Sequence, residues 1–298
     1  MKMNNEISDK KVSKNLIHRL VDALIWVPIL LLSIFVFTFY NHLILNLMAV
    51  VFSVICGYEI GAMFKAKDKR IDFMLYPFLG GLFPLLTLVS LYHPVLEVYF
   101  FPTLTLAFMM ILVRQTFVVD ERELNSAISR TTGMVFALFY PGLLMSFIIR
   151  FANLAEGEAG NLIYAFFLSI VFINDSMAYF FGRALGKRTN SQGFILVSPK
   201  KSLVGFAFGI LGAILVALFF YYVPSVDIFN GRTVFYAIIM GLICGSATIF
   251  GDLFESTLKR SAGFKDSGKF FKGRGGVLDA FDSLLFTAPI FYYFLNFA

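Results

Sequence analysis

Long apolar runs, separated by short polar segments, make up most of this 298-residue chain. A helix needs about 20 predominantly apolar residues to cross a bilayer, and nine runs come close enough to that length to be candidate spans. They lie at 23–40, 43–64, 73–92, 95–113, 131–151, 161–182, 202–223, 233–255 and 277–296. The pattern therefore predicts an all-α, polytopic integral membrane protein with about nine transmembrane helices. The first run lacks a small-residue cleavage site and leads straight into another span, so we expect a retained helix rather than a signal peptide.

The composition agrees with a membrane protein and excludes several other classes. Hydrophobic residues make up 58% of the chain and charged residues 15%, against about 25% charged residues in a typical soluble domain. Secreted disulfide scaffolds, coiled coils and disordered tails do not have this composition. The two cysteines, Cys56 and Cys244, both fall in apolar runs, and we interpret them as buried thiols.

The basic residues are concentrated on one side of the predicted spans. Of the 25 lysine and arginine residues, all but Arg150 and Arg232 fall in segments that share the side of the N terminus if every run spans the membrane. The positive-inside rule then places the N terminus in the cytoplasm and, with an odd number of spans, the C terminus outside. This predicts a multi-pass protein of the cell membrane whose basic face attracts anionic lipid or an anionic soluble substrate. There is no basic domain outside the membrane, so we do not expect a nucleic-acid partner.

The chain divides into three parts on this topology. Residues 1–22 form a basic cytoplasmic segment, and 23–151 hold about five N-terminal helices. Residues 152–298 form the C-terminal region, in which we expect the catalytic chemistry and two cytoplasmic loops, 183–201 and 256–276.

In the C-terminal region, five acidic residues fall within or at the ends of the predicted spans near the cytoplasmic side. An aspartate at the centre of a membrane helix costs about 2.5–3.5 kcal/mol, so such residues need a reason. They are Asp175, Asp252, Glu255, Asp279 and Asp282. Carboxylates that share a helix face repel one another unless a cation lies between them, and oxygen ligands without Cys or His favour Mg²⁺ over zinc. The alternative is that the individual acids pair with Lys259, Arg260 or Lys272 at the interface.

Two polar segments beside these acids have features of phosphate-binding elements. Residues 273–276, Gly-Arg-Gly-Gly, lead directly into the last predicted span, where a helix N-terminus offers N–H groups to an anion. Residues 198–202, Ser-Pro-Lys-Lys-Ser, lead into the seventh span in the same way. The alternatives are that the glycines form a hinge and that the lysines only mark the cytoplasmic face.

Three stretches together resemble the phosphatidate cytidylyltransferases, also called CDP-diacylglycerol synthases. The first runs from Gly251 to Ser283 and contains Ser-Thr-Leu-Lys-Arg at 256–260, Lys-Asp at 265–266, Gly-Gly at 275–276 and Asp-Ala-Phe-Asp at 279–282. This is similar to the family pattern SxxKRxxxxKD, HGG and DRxD. The segments 175–183 and 198–202 are similar to the family's D(S/T)xAYxxGR and SPKK(S/T) patterns, and the three occur in the family's order.

The resemblance implies that CTP and phosphatidic acid react to give CDP-diacylglycerol and pyrophosphate. It implies that Asp252, Asp279 and Asp282 bind Mg²⁺, with Asp175 and Glu255 as less certain ligands and a second, monovalent ion left open. Lys259 and Asp266 join those three aspartates as expected catalytic residues. The expected substrate-binding residues are Ser198, Lys200, Lys201, Arg260, Lys265, Arg274, Gly275 and Gly276. The resemblance also implies a homodimer.

This chain departs from the family pattern at four positions. Arg274 stands in place of the family's His, Ala280 in place of Arg, Lys272 in place of Pro and Val204 in place of Glu. The departures keep open a CTP-dependent enzyme acting on an isoprenoid or other lipid and a non-catalytic paralogue. The intramembrane acids leave an ion-coupled transporter as a third alternative. The transporter is disfavoured because the chain has no paired halves and its acids lie near one leaflet.

Overall fold

Long helices account for most of the chain in the computed structural model, which describes residues 21–22, 24–69, 71, 73–117, 120–155, 157–223, 227–273 and 275–297. The helices are α1 (Leu24–Phe35), α2 (Phe39–Lys67), α3 (Leu75–Tyr92), α4 (Phe100–Arg114), α5 (Glu121–Ala137), α6 (Leu144–Arg150), α7 (Gly157–Leu185), α8 (Leu203–Tyr222), α9 (Val234–Ser261) and α10 (Leu278–Asn296). A 3₁₀ segment, Pro94–Tyr99, precedes α4, and a π-helical segment, Leu138–Leu143, joins α5 to α6.

The predicted fold class is confirmed, and eight of the predicted spans correspond to helices long and apolar enough to cross a membrane. The exception among the described residues is the first run, 23–40, where the apolar helix Leu24–Phe35 is shorter than a span. The chain leaves the helical conformation at 36–38, and Tyr40, Asn41 and His42 then have positive φ angles of 51°, 50° and 58°. Side chains stabilise this kink, because Tyr92 Oη donates to the carbonyl of Tyr40 at 2.6 Å and Asn46 Nδ2 donates to that of Asn41 at 2.9 Å.

Several helices extend beyond the predicted spans, so the loops are shorter than the sequence indicated. Residues 114–130 lie between the fourth and fifth predicted spans, yet α5 already begins at Glu121, where Asp120 caps it by accepting from the N–H of Glu123 at 2.7 Å. Likewise α9 continues to Ser261, which shortens the predicted loop 256–276 to 262–277. The other predicted loop, 183–201, is 186–202, and it ends where Ser202 caps α8 by accepting from Gly205 N at 3.0 Å.

Small residues let the C-terminal helices approach closely. A Cβ added at Gly245 of α9 would come within 2.8 Å of Ala213 of α8 and 3.0 Å of Asn174 of α7. Such small residues are the usual means of packing helices in lipid, where the hydrophobic effect does not drive association. Both cysteines are buried and free, as predicted.

The alternating helices bring four connections to one end of the molecule. These are the connections that follow α2, α4, α7 and α9, each of which runs towards that end, which we call the loop end. The last turns of α7 and α9 and the first turns of α10 therefore lie together there. This is the region to which the sequence assigned the acidic residues.

Candidate functional site at the loop end

Three aspartates from three helices lie near one another at the loop end. Asp282 of α10 is 9% exposed, and the charges of Asp252 on α9 and Asp175 on α7 both act on it. Helices α9 and α10 approach closely beside Asp252, because a Cβ added at Gly251 of α9 would come within 2.5 Å of the carbonyl oxygen of Asp282 on α10. The half-buried Asp252 forms an ion pair with Lys201 at 2.5 Å, which connects loop 186–202 to α9. The structure thus brings together residues that are far apart in sequence.

Lys259 is the cation at the centre of a second group. Its Nζ forms an ion pair with Glu255 at 2.6 Å and a short contact with Asp279 of α10. Glu255 is fully buried, and the side chains of Lys259 and Asp279 are 13% and 6% exposed. For these two acids, the structure has the pairing with an interfacial lysine that the sequence left open as an alternative.

Asp279 has protein partners on both carboxylate oxygens. Oδ1 accepts from Lys259, and Oδ2 accepts from Ser267 N at 2.8 Å and Gly276 N at 2.7 Å, with Ser267 Oγ 3.0 Å away. A carboxylate with these donors is well placed to fix the loop before α10. Asp252 and Asp282 have fewer protein partners, so the role of a metal ligand fits them better than Asp279.

The N–H groups at the start of α10, which the sequence offered to a phosphate, are occupied by carboxylates of the chain itself. Glu59 of α2 accepts from Val277 N at 2.9 Å and Leu278 N at 2.8 Å, while Gly276 N donates to Asp279. A helix N-terminus favours any anion, and here the anion is a side chain. We therefore do not assign a phosphate contact to the N–H of Gly276.

Glu59 and Asp22 are site residues that the sequence analysis did not single out. Glu59 is 4% exposed and also accepts from Ser267 Oγ at 2.7 Å. Asp22, just before α1, accepts from Gly273 N at 2.6 Å. Loop 262–277 is thus held by two carboxylates from the N-terminal part of the chain.

Replacing Gly276 with alanine is expected to displace this loop. The new Cβ would overlap Ser267 Oγ and come within 2.5 Å of both oxygens of Glu59. Overpacking of this kind costs about 1–3 kcal/mol, so the thermal unfolding temperature in detergent should fall and any catalytic activity should fall with it. Gly231→Ala is the control, since its Cβ would meet nothing within 4 Å and only its φ of 75° is strained. Equal activity in the two variants would contradict the close packing at Gly276.

The other predicted site residues that the structure describes lie in the loops or in the last turn of α9. Lys200, Lys265 and Asp266 are exposed, as is Arg260, whose guanidinium donates to the carbonyl of Phe264 at 3.3 Å. Ser198 is half-buried and accepts through its carbonyl from Lys201 N at 3.0 Å. Gly275 has a φ of 106°, a conformation that favours glycine, and Arg274 lies outside the described residues.

An apolar cavity of about 300 Å³ lies between α1, α2, α7 and α10. Its lining includes Asp22, Trp26 and Phe271, and the ring centroids of Trp26 and Phe271 are 5.4 Å apart. Ala280 and Phe281 of α10 form part of its wall. One helix therefore carries both the carboxylates of the polar site and the wall of the cavity.

Asp252 and Asp282 are the carboxylates that could hold Mg²⁺ if substrate phosphates completed its coordination. Within the described ranges, no group of three or more His, Cys, Asp or Glu side chains has the geometry to hold a metal ion. Mg²⁺ is usually bound through one or two carboxylates together with water and substrate phosphates. Asp252 and Asp282 supply two such carboxylates, and the nearby charge of Asp175 adds to the attraction for a cation.

The chain is a polytopic membrane protein with a polar site at one end of its helices. The site combines clustered carboxylates and lysines with an adjacent apolar cavity. The model of the Cytidylyltransferase family matches residues 19–298. The chain belongs to this family, as its motifs predicted.

The chain matches similar proteins over about half to nearly all of its length, and some of them have a named activity. It is 34% identical over 201 residues to the phosphatidate cytidylyltransferase of Bacillus subtilis, which covers 67% of this chain and 68% of the relative. It is 30% identical over 277 residues to that of Thermotoga maritima, covering 92% and 94%. It is also 36% identical over 140 residues to YnbB of Escherichia coli, a protein described as uncharacterized, covering 47% and 44%.

Proposed function

We propose that this protein transfers CMP from CTP to phosphatidic acid, giving CDP-diacylglycerol and pyrophosphate. The family and the names of the relatives support the reaction class. The observation that carries the proposal is the arrangement on α10, where Asp279 and Asp282 belong to the polar site while Ala280 and Phe281 line the apolar cavity. A water-soluble nucleotide and a lipid can meet at such a boundary.

The lipid phosphate is the nucleophile in this reaction. One of its oxygens bonds to the α-phosphorus of CTP, and the bond from that phosphorus to the oxygen bridging to the β-phosphate breaks, so that pyrophosphate leaves. A phosphate monoester has a second pKa of about 6 and is mostly a dianion at pH 7, so no strong general base is required. The main difficulty is the repulsion between the two polyanionic substrates.

Basic residues of the loops reduce this repulsion. Lys201 forms an ion pair with Asp252, and Lys200, Lys265 and Arg260 are exposed in the loops or at the end of α9. We propose that these four contact phosphates, and that Ser198 and Gly275 shape the loops that carry them. Lys259, which is enclosed by Glu255 and Asp279, acts by positioning α9 against α10.

We propose Mg²⁺ as the cofactor, with Asp252 and Asp282 as its protein ligands and Asp175 close by. When bound there, Mg²⁺ would neutralise part of the charge on the triphosphate and on the leaving pyrophosphate. Asp279 would hold the loop rather than the ion. Asp266 lies at the surface beside Gly275, where it can orient neighbouring basic residues.

The proposed orientation has the N terminus and the loop end in the cytoplasm, at the cytoplasmic membrane. The distribution of lysine and arginine residues supports it, because the proposed site lies on the basic side. Both substrates would then be available at that face. The homodimer implied by the family resemblance stays a prediction, and sedimentation of the purified protein in detergent would test it.

Pyrophosphate release from CTP is expected to depend on phosphatidic acid. The purified protein in detergent micelles should release pyrophosphate when phosphatidic acid and Mg²⁺ are present, and at a rate lower by at least about 100-fold when the lipid is omitted. Parallel micelles with an isoprenoid phosphate or an isoprenoid alcohol define the lipid class. Faster release with an isoprenoid substrate would contradict the assignment of phosphatidic acid.

A further inference from the structure

Glu59 is a buried carboxylate in the second half of α2, far in sequence from the motifs of the site. It is 4% exposed, and its oxygens accept hydrogen bonds from Ser267 Oγ, Val277 N and Leu278 N at 2.7–2.9 Å. All three donors belong to loop 262–277 or to the start of α10. A single side chain thus connects an N-terminal helix to the segment that carries Asp279 and Asp282.

The start of α10 has no cap of its own. Its first residues leave N–H groups without helical partners, and Val277 at the capping position has no side-chain oxygen to accept from them. Glu59 satisfies the N–H groups of Val277 and Leu278 from another helix, while Asp279 N donates to Ser267 Oγ at 3.3 Å. A carboxylate near a helix N-terminus is also stabilised by the helix dipole.

The loop is shaped around this carboxylate. A Cβ added at Gly268 or at Gly276 would overlap Glu59 or come within 2.5 Å of its oxygens, so both glycines are packed against it. Ser267 lies between the two acids, because its Oγ donates to Glu59 at 2.7 Å and lies 3.0 Å from Asp279 Oδ2. The position of Asp279, and through it that of Lys259, therefore depends on Glu59.

We infer that Glu59 is a positioning residue of the site, which fixes loop 262–277 and the first turn of α10 so that Asp279, Lys259 and Asp282 have their observed arrangement. The part of the inference that concerns catalysis rests on the proposed function. The part that concerns the loop does not, because it follows from the hydrogen bonds alone.

Glu59→Gln tests the inference with little change in shape. A glutamine keeps one acceptor oxygen but puts an NH₂ group towards N–H donors and removes the charge at the helix N-terminus. We expect amide hydrogen exchange in a peptide covering 265–283 to become faster by about tenfold or more, with a peptide from α8 unchanged. For CMP transfer we expect kcat to fall by about 10–100-fold and KM for CTP to change by less than about threefold, as for residues that orient a site without touching substrate.

Two further variants make the test specific. Glu97→Gln is the matched control, because Glu97 is an exposed glutamate of the 3₁₀ segment whose partner is Arg150, and it should leave exchange at 265–283 and kcat unchanged. Ser267→Ala removes only the hydroxyl between Glu59 and Asp279, and it should show a smaller change in the same peptide. If Glu59→Gln raises exchange throughout the protein, the exchange of Ser267→Ala at 265–283 decides whether these hydrogen bonds hold the loop.

Unchanged exchange at 265–283 in both Glu59→Gln and Ser267→Ala would overturn the inference. Faster local exchange with an unchanged kcat would also overturn it, since the loop would then be held for stability alone. If the wild-type protein transfers no CMP, the proposed function fails, and the exchange measurement by itself still decides whether Glu59 holds the loop.

Discussion

Asp282→Asn is expected to lower the rate of CMP transfer by at least about 100-fold while the protein stays folded. Asparagine has nearly the shape of aspartate and can still accept from Ser283 N, which lies 2.5 Å from Asp282 Oδ1. What it lacks is the negative charge that we propose attracts Mg²⁺. The charges of Asp252 and Asp175 act on Asp282, so the neutral side chain removes repulsion and should leave the unfolding temperature unchanged or higher.

The matched control is Asp120→Asn, which makes the same chemical change at an exposed helix cap. Asparagine caps helices about as well as aspartate, so this variant should keep wild-type activity and stability. Both variants are assayed by initial rates over a range of Mg²⁺ concentrations. Activity of Asp282→Asn close to that of the wild type would rule out a role for this carboxylate in binding the metal.

Lys259→Met is expected to destabilise the protein by about 3–5 kcal/mol, because it leaves two carboxylates without their cation. Glu255 is fully buried and the side chain of Asp279 is 6% exposed, so neither has water to replace the lost ammonium group. Thermal unfolding in detergent measures the effect. Any protein that remains folded should show little CMP transfer, since Asp279 would no longer hold α9 and loop 262–277 together.

Three comparisons separate this explanation from a general effect of losing a lysine. Lys69→Met at an exposed position should leave the unfolding temperature unchanged. Lys259→Arg keeps the charge and should be more stable than Lys259→Met. Adding Glu255→Gln and Asp279→Asn to Lys259→Met should restore part of the lost stability, because no unpaired charge then stays buried. A triple variant less stable than the single one would contradict the ion-pair explanation.

The sequence predicts the helices well because lipid imposes a simple rule on them. Each span must be long, apolar and helical, so its position can be read from hydropathy alone. The helix ends depend on local capping instead, which is why α5 and α9 extend beyond their predicted spans. The left-handed residues Tyr40, Asn41 and His42 follow the short α1, and Tyr92 bonds the first of them, a contact that hydropathy does not reveal.

The site was predictable in its residue types but less so in its contacts. The motifs brought Asp252, Asp282 and Lys201 to the same place, and the structure brings Asp252 and Lys201 into contact. The sequence could not show that Asp279 and Glu255 share Lys259, because an unpaired acid and a paired one have the same pattern. The sequence also could not show which anion binds the N-terminus of α10, because a side-chain carboxylate and a phosphate both satisfy its N–H groups.

Glu59 could have been found with the reasoning that singled out Asp175. It is an acidic residue within the predicted span 43–64, where a charge is expensive. Its partners, however, begin 208 positions further along the chain, and no local pattern identifies them. Asp22, which accepts from Gly273 N, lies just before the first run, and no local pattern identifies its partner either.

The departure from the family pattern at Ala280 has a structural consequence. Ala280 lines the apolar cavity, so the position between the two aspartates contributes a small apolar surface to the cavity wall. Val204 lies in the first turn of α8, just after the lysine pair. Lys201 of loop 186–202 and Asp252 of α9 form an ion pair in spite of both changes.

The fate of the α- and γ-phosphates of CTP tests the proposed reaction most directly. Purified protein is incubated with phosphatidic acid micelles, Mg²⁺ and CTP labelled with ³²P at either position, with and without EDTA. Cytidylyl transfer predicts that label from the α-phosphate enters the lipid phase, that label from the γ-phosphate stays in water as pyrophosphate, and that EDTA stops both. Label from the γ-phosphate in the lipid would instead show phosphoryl transfer, and no lipid label from either position would contradict the account.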